Sequence, residues 1–388
     1  MLTELNKTPF PYYGGKADAA PIVWEALGDP HHYVEPFFGS GAVLLRRPHE
    51  CNRSHYSETV NDADGFLCNA FRAIQMSPGA TAEAASWPVC EADLMSRHLT
   101  LLKWSEEHKL ERLMADPKWH DPEMAGYWIW GISSWIGSGW CSGNGSWIVG
   151  KDGRITKRRN KESGVAKQLP HIGDDGKGCN YPKTREPGVA KQLPHIGDDG
   201  KGCNYSKTRE PGVTKSKGMC CDWEFHPLTM PELRRWFEFI SARLRHVRIL
   251  NGDWTRVVTG AATKILSIRS STDACGIFLD PPYNTNERCD NLYLKESGDI
   301  SEKVRKWCVT AGKDPQLRIV LAGYDTEHTE LEALGWAVTE WYRSGFLKGG
   351  MRNQNKEGTQ QHRERLWLSP ACLPVDDPNV DPLAWMDP

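Results

Sequence analysis

The sequence predicts an α/β fold built on a mostly parallel, doubly wound sheet, and three observations carry that prediction. Apolar strand-like runs alternate with helix-period segments on both sides of a long polar middle. A short strand beginning at His32 runs into the glycine turn Phe37-Phe38-Gly39-Ser40-Gly41 and then a helix-like stretch, as in α/β units that bring backbone up to a ligand. The apolar run Gly276 to Leu279 stops at Asp280-Pro281-Pro282-Tyr283, so a buried parallel strand would deliver a carboxylate, a rigid backbone and an aromatic ring to the carboxyl edge of the sheet.

With 388 residues, the chain suits one large domain with an insertion, or two domains. It has no apolar run long enough to span a bilayer, and its first sixteen residues lack the basic start and apolar core of a signal peptide, so a cytoplasmic protein without a membrane partner is expected. The twelve cysteines form no regular framework, contain no Cys-x-x-Cys and include the vicinal pair Cys220-Cys221, which points to free thiols in a reducing compartment.

Taken in order, the first stretch is Pro9-Phe10-Pro11-Tyr12-Tyr13-Gly14-Gly15-Lys16. Aromatics, a Gly-Gly turn and a lysine opening a helix suit a flat zwitterionic ligand, while two tyrosines packing an N-terminal arm into a core would look the same. In the glycine turn, position 44 is leucine, so no complete Gly-x-Gly-x-x-Gly is present and a dinucleotide site is disfavoured. The next strand, Tyr56 to Val60, ends at Asn61-Asp62-Ala63-Asp64, where an acid is placed to accept ribose hydroxyls. Asp62 is the candidate; the competing role is a helix N-cap, which Asp64 could also fill. Five tryptophans between Trp128 and Trp147, set among glycine and serine, form either a packed wall or a cleft for stacking bases.

The middle of the chain holds a duplication. Gly164–Pro187 and Gly188–Pro211 agree at every position except Pro182 against Ser206, a 24-residue period. Each copy has one leucine, one isoleucine and one valine, too few for a core, so paired basic loops are expected. From Lys151 to Lys217 sixteen Lys/Arg stand against eight Asp/Glu, a net +8 that leaves −10 on the rest of the chain. Such a segment meets an anionic partner or is a solvated loop. His171, Cys179, His195 and Cys203 have no recognised metal spacing, and no metal is expected.

Beyond the duplication, an amphipathic helix from Met230 leads to the strand Val247 to Leu250 and then Asp253-Trp254, an acceptor beside a large aromatic face suited to a purine. Asp280-Pro281-Pro282-Tyr283 then fits methylation of an exocyclic amino group on a base. Such a nitrogen is a poor nucleophile because its lone pair is delocalised. A carboxylate (Asp280) and a carbonyl (Pro281) that accept its two N–H hydrogens favour pyramidalisation as it attacks. The prolines fix that carbonyl and add no competing N–H, and Tyr283 would stack on a base flipped out of the duplex.

With these motifs in this order, the chain resembles the α-class, D12-type N6-adenine-specific DNA methyltransferases, the group that includes DNA adenine methylase. The motifs that carry the resemblance are Tyr12 to Lys16, Phe37 to Gly41, Asn61 to Asp64, Asp253-Trp254 and Asp280 to Tyr283, over roughly 1–80 and 245–370. The resemblance implies a Rossmann-like S-adenosylmethionine-dependent methyltransferase sheet with an inserted, largely helical and loop-rich target-recognition region. Its domains would be a cofactor-binding part at 1–80, the insert at 81–244 with the duplication at 164–211, a catalytic part at 245–370 and a tail at 371–388. It implies S-adenosylmethionine as cofactor, with Tyr12 and Lys16 at the methionine end, Phe37, Gly39 and Gly41 behind it, Asp62 at the ribose, and Asp253 with Trp254 at the adenine. It implies Asp280, Pro281, Pro282 and Tyr283 as the catalytic residues and double-stranded DNA as substrate. Lys157, Arg158, Arg159, Lys167, Lys191 and Arg352 are the candidate DNA contacts.

The setting implied is a prokaryotic or phage-infected cell, in restriction-modification or phage protection, with any cognate restriction endonuclease unspecified. Two other readings stay open: N4-cytosine methylation, which uses the same geometry, and a non-catalytic DNA-binding protein on the same scaffold. Deleting Gly164–Pro187 is expected to weaken DNA affinity and flatten its salt dependence, because phosphate contacts release counterions. An unchanged salt slope in a binding titration would mark the copy as a spacer.

Overall fold

The structure, a computed structural model, describes residues 8–12, 14–48, 56–135, 140–141, 230–263, 274–283, 297–341 and 363–375, together with the backbone of six short strands between 147 and 204. By contact the chain divides into one unit of Met1–Ser133 with Lys217–Pro388 and a second unit of Ser134–Ser216.

The first unit is a seven-stranded sheet with helices. In chain order it runs α1 (Ala20–Leu27), β1 (His32–Glu35), α2 (Ala42–Leu45), β2 (Ser57–Asp62), α3 (Gly65–Met76), α4 (Pro78–Ala85), α5 (Glu91–Trp104), α6 (Leu110–Ala115) and α7 (Pro122–Ser134). After the second unit come α8 (Met230–Leu244), β3 (Val247–Asn251), α9 (Gly260–Thr263), β4 (Cys275–Leu279), α10 (Ser297–Ala311), β5 (Leu317–Tyr324), β6 (Ala337–Glu340) and β7 (Glu364–Leu368). The strands lie in the order β6-β7-β5-β4-β1-β2-β3. All neighbours are parallel except β7, which is antiparallel to β5 and β6.

β1 and β4 are buried along their whole length, the expected fate of central parallel strands covered on both faces, and the reason β4 reads as an unbroken apolar run rather than an alternating one. From β1 the chain winds to β2 and β3 on one side and resumes at β4 and β5 on the other. The β1–β4 pair is therefore the point where the winding reverses, and such reversals open a crevice at the strands' carboxyl ends.

Buried polar ties hold the returning chain to the sheet. Glu58 of β2 receives Arg47 at 3.0 Å and Arg243 of α8 at 2.7 Å, and Arg47 also meets Asp29 at 2.8 Å. Arg72 of α3 donates to the Ile249 carbonyl of β3 and, through its other end, to the carbonyls of Leu113 and Asp116 after α6. These bonds satisfy charges that burial would otherwise penalise heavily. Of the tryptophan run, Trp128 and Trp130 are core residues: Phe10 packs edge-on to Trp128, and Trp130 Nε1 donates to the Trp87 carbonyl.

The second unit contains three small antiparallel hairpins. Trp147–Val149 pairs with Ile155–Lys157. The described residues of the two duplicated copies pair alike, with His171 opposite Asn180 and Ile172 opposite Cys179 in the first, and His195 opposite Asn204 and Ile196 opposite Cys203 in the second. Each copy thus includes a minimal hairpin where the sequence suggested a bare loop. α4 to α6, α7 up to Ser133, and α8 fall in the first unit, where α3 and α4 pack on α8. The cysteines form no disulfide among the described residues, and no helix there is long and apolar enough to cross a membrane.

Burial sets one acid-sensitive element. His328 is fully buried edge-on to Trp367, and neither ring nitrogen has a hydrogen bond of ordinary geometry. Burial lowers its pKa to about 4, below the usual imidazole value. The unfolded chain then binds the proton more readily than the folded one between about pH 6.5 and 4. Stability is therefore expected to fall as pH drops through that window, by about 2–3 kcal/mol from this residue. Urea unfolding of wild type and His328→Leu across the window should show a shallower acid loss in the variant.

Candidate active site

After β1 the backbone turns sharply. Gly39 and Gly41 have φ of +49° and +68°, left-handed values that side chains disfavour, and Gly41 then starts α2. Asp62, at the end of β2, secures this turn: its Oδ2 accepts the Gly39 N–H at 2.9 Å and its Oδ1 accepts the Asp64 N–H at 2.9 Å. Asp64 itself caps α3 through the N–H groups of Phe66 and Leu67. The two roles that the sequence left open between these acids are thus separated. Asp64 is the N-cap, and Asp62 joins the two loops, with the N–H groups of Phe38 and Ala63 also directed at its carboxylate. Burial raises the pKa of Asp62, and burial with the Asp62 charge raises Asp64 to about 6.

Asn61 adds a third loop to the junction, donating to the carbonyls of Pro36 and Gly252. Its side-chain oxygen is buried without a hydrogen-bond partner among the described residues. Phe37, half-buried, stacks on Trp254 with ring centres 6.1 Å apart. Trp254 is only 6% exposed and also meets the edge of Trp307, so it lies in the apolar core beneath Phe37. Trp254 thus leaves little of its ring open, and the partly open ring at this point is Phe37. Asp253 is exposed, and one of its oxygens caps the following 3₁₀ turn at Thr255.

The N-terminal arm crosses the glycine turn. A Cβ at Gly39 would lie 3.5 Å from the Tyr12 ring, and one at Gly15 3.3 Å from Ser40 Oγ. Lys16 follows, 5% exposed, with its Nζ donating to the Gly14 carbonyl at 3.0 Å. The same ammonium lies 3.2 Å from Asp280 Oδ2 at the end of β4 and 3.5 Å from Glu364 Oε2 at the start of β7. Burial pulls its pKa down, but the two carboxylates more than offset this and leave it raised.

Pro281 is buried and Pro282 exposed. The Tyr283 ring has Lys16 Nζ 5.0 Å from its centre and the edge of Tyr324 at 4.7 Å. Its hydroxyl is buried without a hydrogen bond of ordinary geometry, and burial, then the Asp280 and Glu364 charges, push the phenol well upward.

Two carboxyls in this cluster were not singled out from sequence for these positions. Glu35, at the end of β1, is buried, accepts the Tyr33 hydroxyl at 2.9 Å, and is pushed well up by burial with the nearby acids. Glu364, at the start of β7, is half-buried beside Lys16. A carboxylate closing a buried strand is the signal that would have found Glu35; for Glu364 the signal lies in the antiparallel register. Of the candidate DNA contacts, Lys157 ends a hairpin strand, and its side chain, like Arg158, Arg159, Lys167, Lys191 and Arg352, lies outside the described residues.

Residues 12–94 match the family model described as D12 class N6 adenine-specific DNA methyltransferase. That span holds Tyr12, Lys16, the glycine turn and Asp62, and agrees with the resemblance carried by those motifs; it ends before Asp253 and Asp280. No curated protein matches the chain. The match supports a transferase and DNA adenine methylation in broad terms.

Asp64 yields a stability test. Its folded pKa of about 6 lies above the usual aspartate value, so the folded state holds the proton more tightly and the ionised form carries a cost at neutral pH. Asp64→Asn keeps a good N-cap and removes that cost. It is expected to raise stability at pH 7 by about 1 kcal/mol, with the gain shrinking as pH falls below 6, as read by urea unfolding at several pH values.

Proposed function

We propose that the chain transfers a methyl group from S-adenosylmethionine to N6 of an adenine flipped out of double-stranded DNA. The observation that carries this reading is the location of Asp280-Pro281-Pro282-Tyr283. It ends β4 at the winding reversal, beside the glycine turn of β1 and within reach of Lys16.

The crevice suits the donor chemically. Asp62 and Asn61 place side-chain oxygens at the junction, that of Asn61 without a partner among the described residues, the Gly39–Gly41 turn brings backbone close, and Phe37 presents a partly open ring. Acceptors and an aromatic face fit a ribose, a purine and a cationic methionine moiety. When bound, the cofactor supplies an electrophilic methyl group on a sulfonium.

Asp280 and the Pro281 carbonyl would accept the two hydrogens of the adenine amino group and hold its nitrogen in the orientation for attack. On gaining the methyl group the nitrogen would shed one proton, which the Asp280 carboxylate is placed to accept and pass to solvent. The negative potential of Asp280 meets the positive charge that builds on nitrogen. Tyr283 would stack on the base, and the basic segment from Lys151 to Lys217 would contact phosphates.

Asp280→Ala is expected to lower methyl transfer by at least about a thousandfold, while cofactor and DNA binding remain within a few-fold of wild type. Nucleoside mass spectrometry after incubation with labelled cofactor identifies the product. N4-methylcytosine in place of N6-methyladenine would redirect the reading to the cytosine enzymes, and undiminished activity in the variant would sink the mechanism.

A further inference from the structure

The pocket at Asp280 and Tyr283 already holds a cation. Lys16 Nζ is 3.2 Å from Asp280 Oδ2 and 5.0 Å from the Tyr283 ring centre, so one ammonium occupies both the acceptor and a ring approach that the proposed reaction assigns to the base. It is a positively charged nitrogen with hydrogens on a carboxylate, the same kind of group as an amine gaining a methyl. Base and ammonium therefore compete for Asp280.

An evicted Lys16 has limited options. At 5% exposure, an ammonium without a carboxylate is strongly disfavoured, because burial removes the water that would otherwise solvate it. The second carboxylate is Glu364, 3.5 Å away and 14% exposed. Its position is fixed by backbone pairing: Glu364 opens β7 directly opposite Tyr324, the last residue of β5, and Tyr324 in turn abuts Tyr283. The Gly14 carbonyl at 3.0 Å supplies a neutral third acceptor for the same ammonium.

Resting on the reading above, we propose that Glu364 is a positioning residue that retains the Lys16 ammonium when the target amino group takes Asp280. Two carboxylates and one ammonium leave this cluster at net −1, a balance that favours the positive charge developing on the attacked nitrogen. With Glu364 neutral, the cluster falls to zero and Asp280 holds Lys16 more tightly, so the base meets a plugged acceptor.

The test compares full-length wild type, Glu364→Gln and Glu364→Asp on adenine-unmethylated genomic DNA with labelled S-adenosylmethionine. It measures kcat, KM for each substrate and Tm. Glu364→Gln is expected to lower kcat about tenfold, with KM for the cofactor within about twofold and Tm little changed, and Glu364→Asp to recover kcat to within about threefold. Equal kcat for Glu364→Gln and wild type, or an Asp variant as impaired as the Gln variant, overturns the inference and leaves the adenine reading standing. A wild-type chain that methylates no adenine overturns the reading, and the inference with it.

A variant-free measurement covers the case in which Glu364→Gln does not fold. Acylation of Lys16 in wild type, read by peptide mass spectrometry, is expected to stay slow when DNA and S-adenosylhomocysteine are bound. A rise of about tenfold or more would show the ammonium released to solvent and would overturn the inference.

Discussion

The pairing of β1 with β4, from His32 opposite Cys275 to Val34 opposite Ile277, is the constraint on which the site depends. It joins two strands separated by most of the chain. Because both run the same way, the loops after Glu35 and after Leu279 emerge side by side at one edge. Asp62 then draws the β2 loop to the glycine turn, and the antiparallel β7 brings Glu364 to that edge from the opposite direction. Long connections can be tolerated here because a parallel crossover requires chain to leave the sheet and return.

The fold was legible in the sequence to the extent that its strands are buried on both faces. Gly276 to Leu279 is an unbroken apolar run of the kind a covered sheet explains, whereas Val247 to Leu250, at the sheet edge, carries the exposed Arg248 and reads as alternating. The glycine turn was legible for a local reason, since positive φ at Gly39 and Gly41 needs those residues. What stayed hidden depends on neighbours distant in sequence. Trp254 looked like an offered ring, and Phe37 and Trp307 cover it. Nothing local to Glu364 marks it in the sequence, and its register opposite Tyr324 carries it to Lys16. The acids Asp62 and Asp64 were interchangeable in sequence until the Gly39 N–H chose one and α3 the other.

Electrostatics and burial oppose each other across this edge. Glu35, Asp62 and Asp64 are all pushed upward by burial, whereas the one ammonium among them, on Lys16, is pushed up by the acids it pairs with. A cluster of acids held partly desolvated is costly to the fold, and such costs collect where chemistry needs a field of fixed sign. The proposed reaction, with its sulfonium and an amine becoming cationic, would call for a negative one. The buried Glu58 offers a contrast: with Asp29 it faces Arg47 and Arg243, two carboxylates against two guanidiniums, and the group serves to fasten α8 to β2.

The identical pairing register of the two 24-residue copies has a genetic consequence. Tandem copies so nearly identical are natural substrates for slippage or unequal exchange, and a whole number of residues keeps the reading frame. Each event would add or remove one complete hairpin within the Ser134–Ser216 unit, with the strands of the sheet encoded on either side untouched. The chain thereby has a part whose length can drift between lineages while the residues at the crevice stay in register with one another.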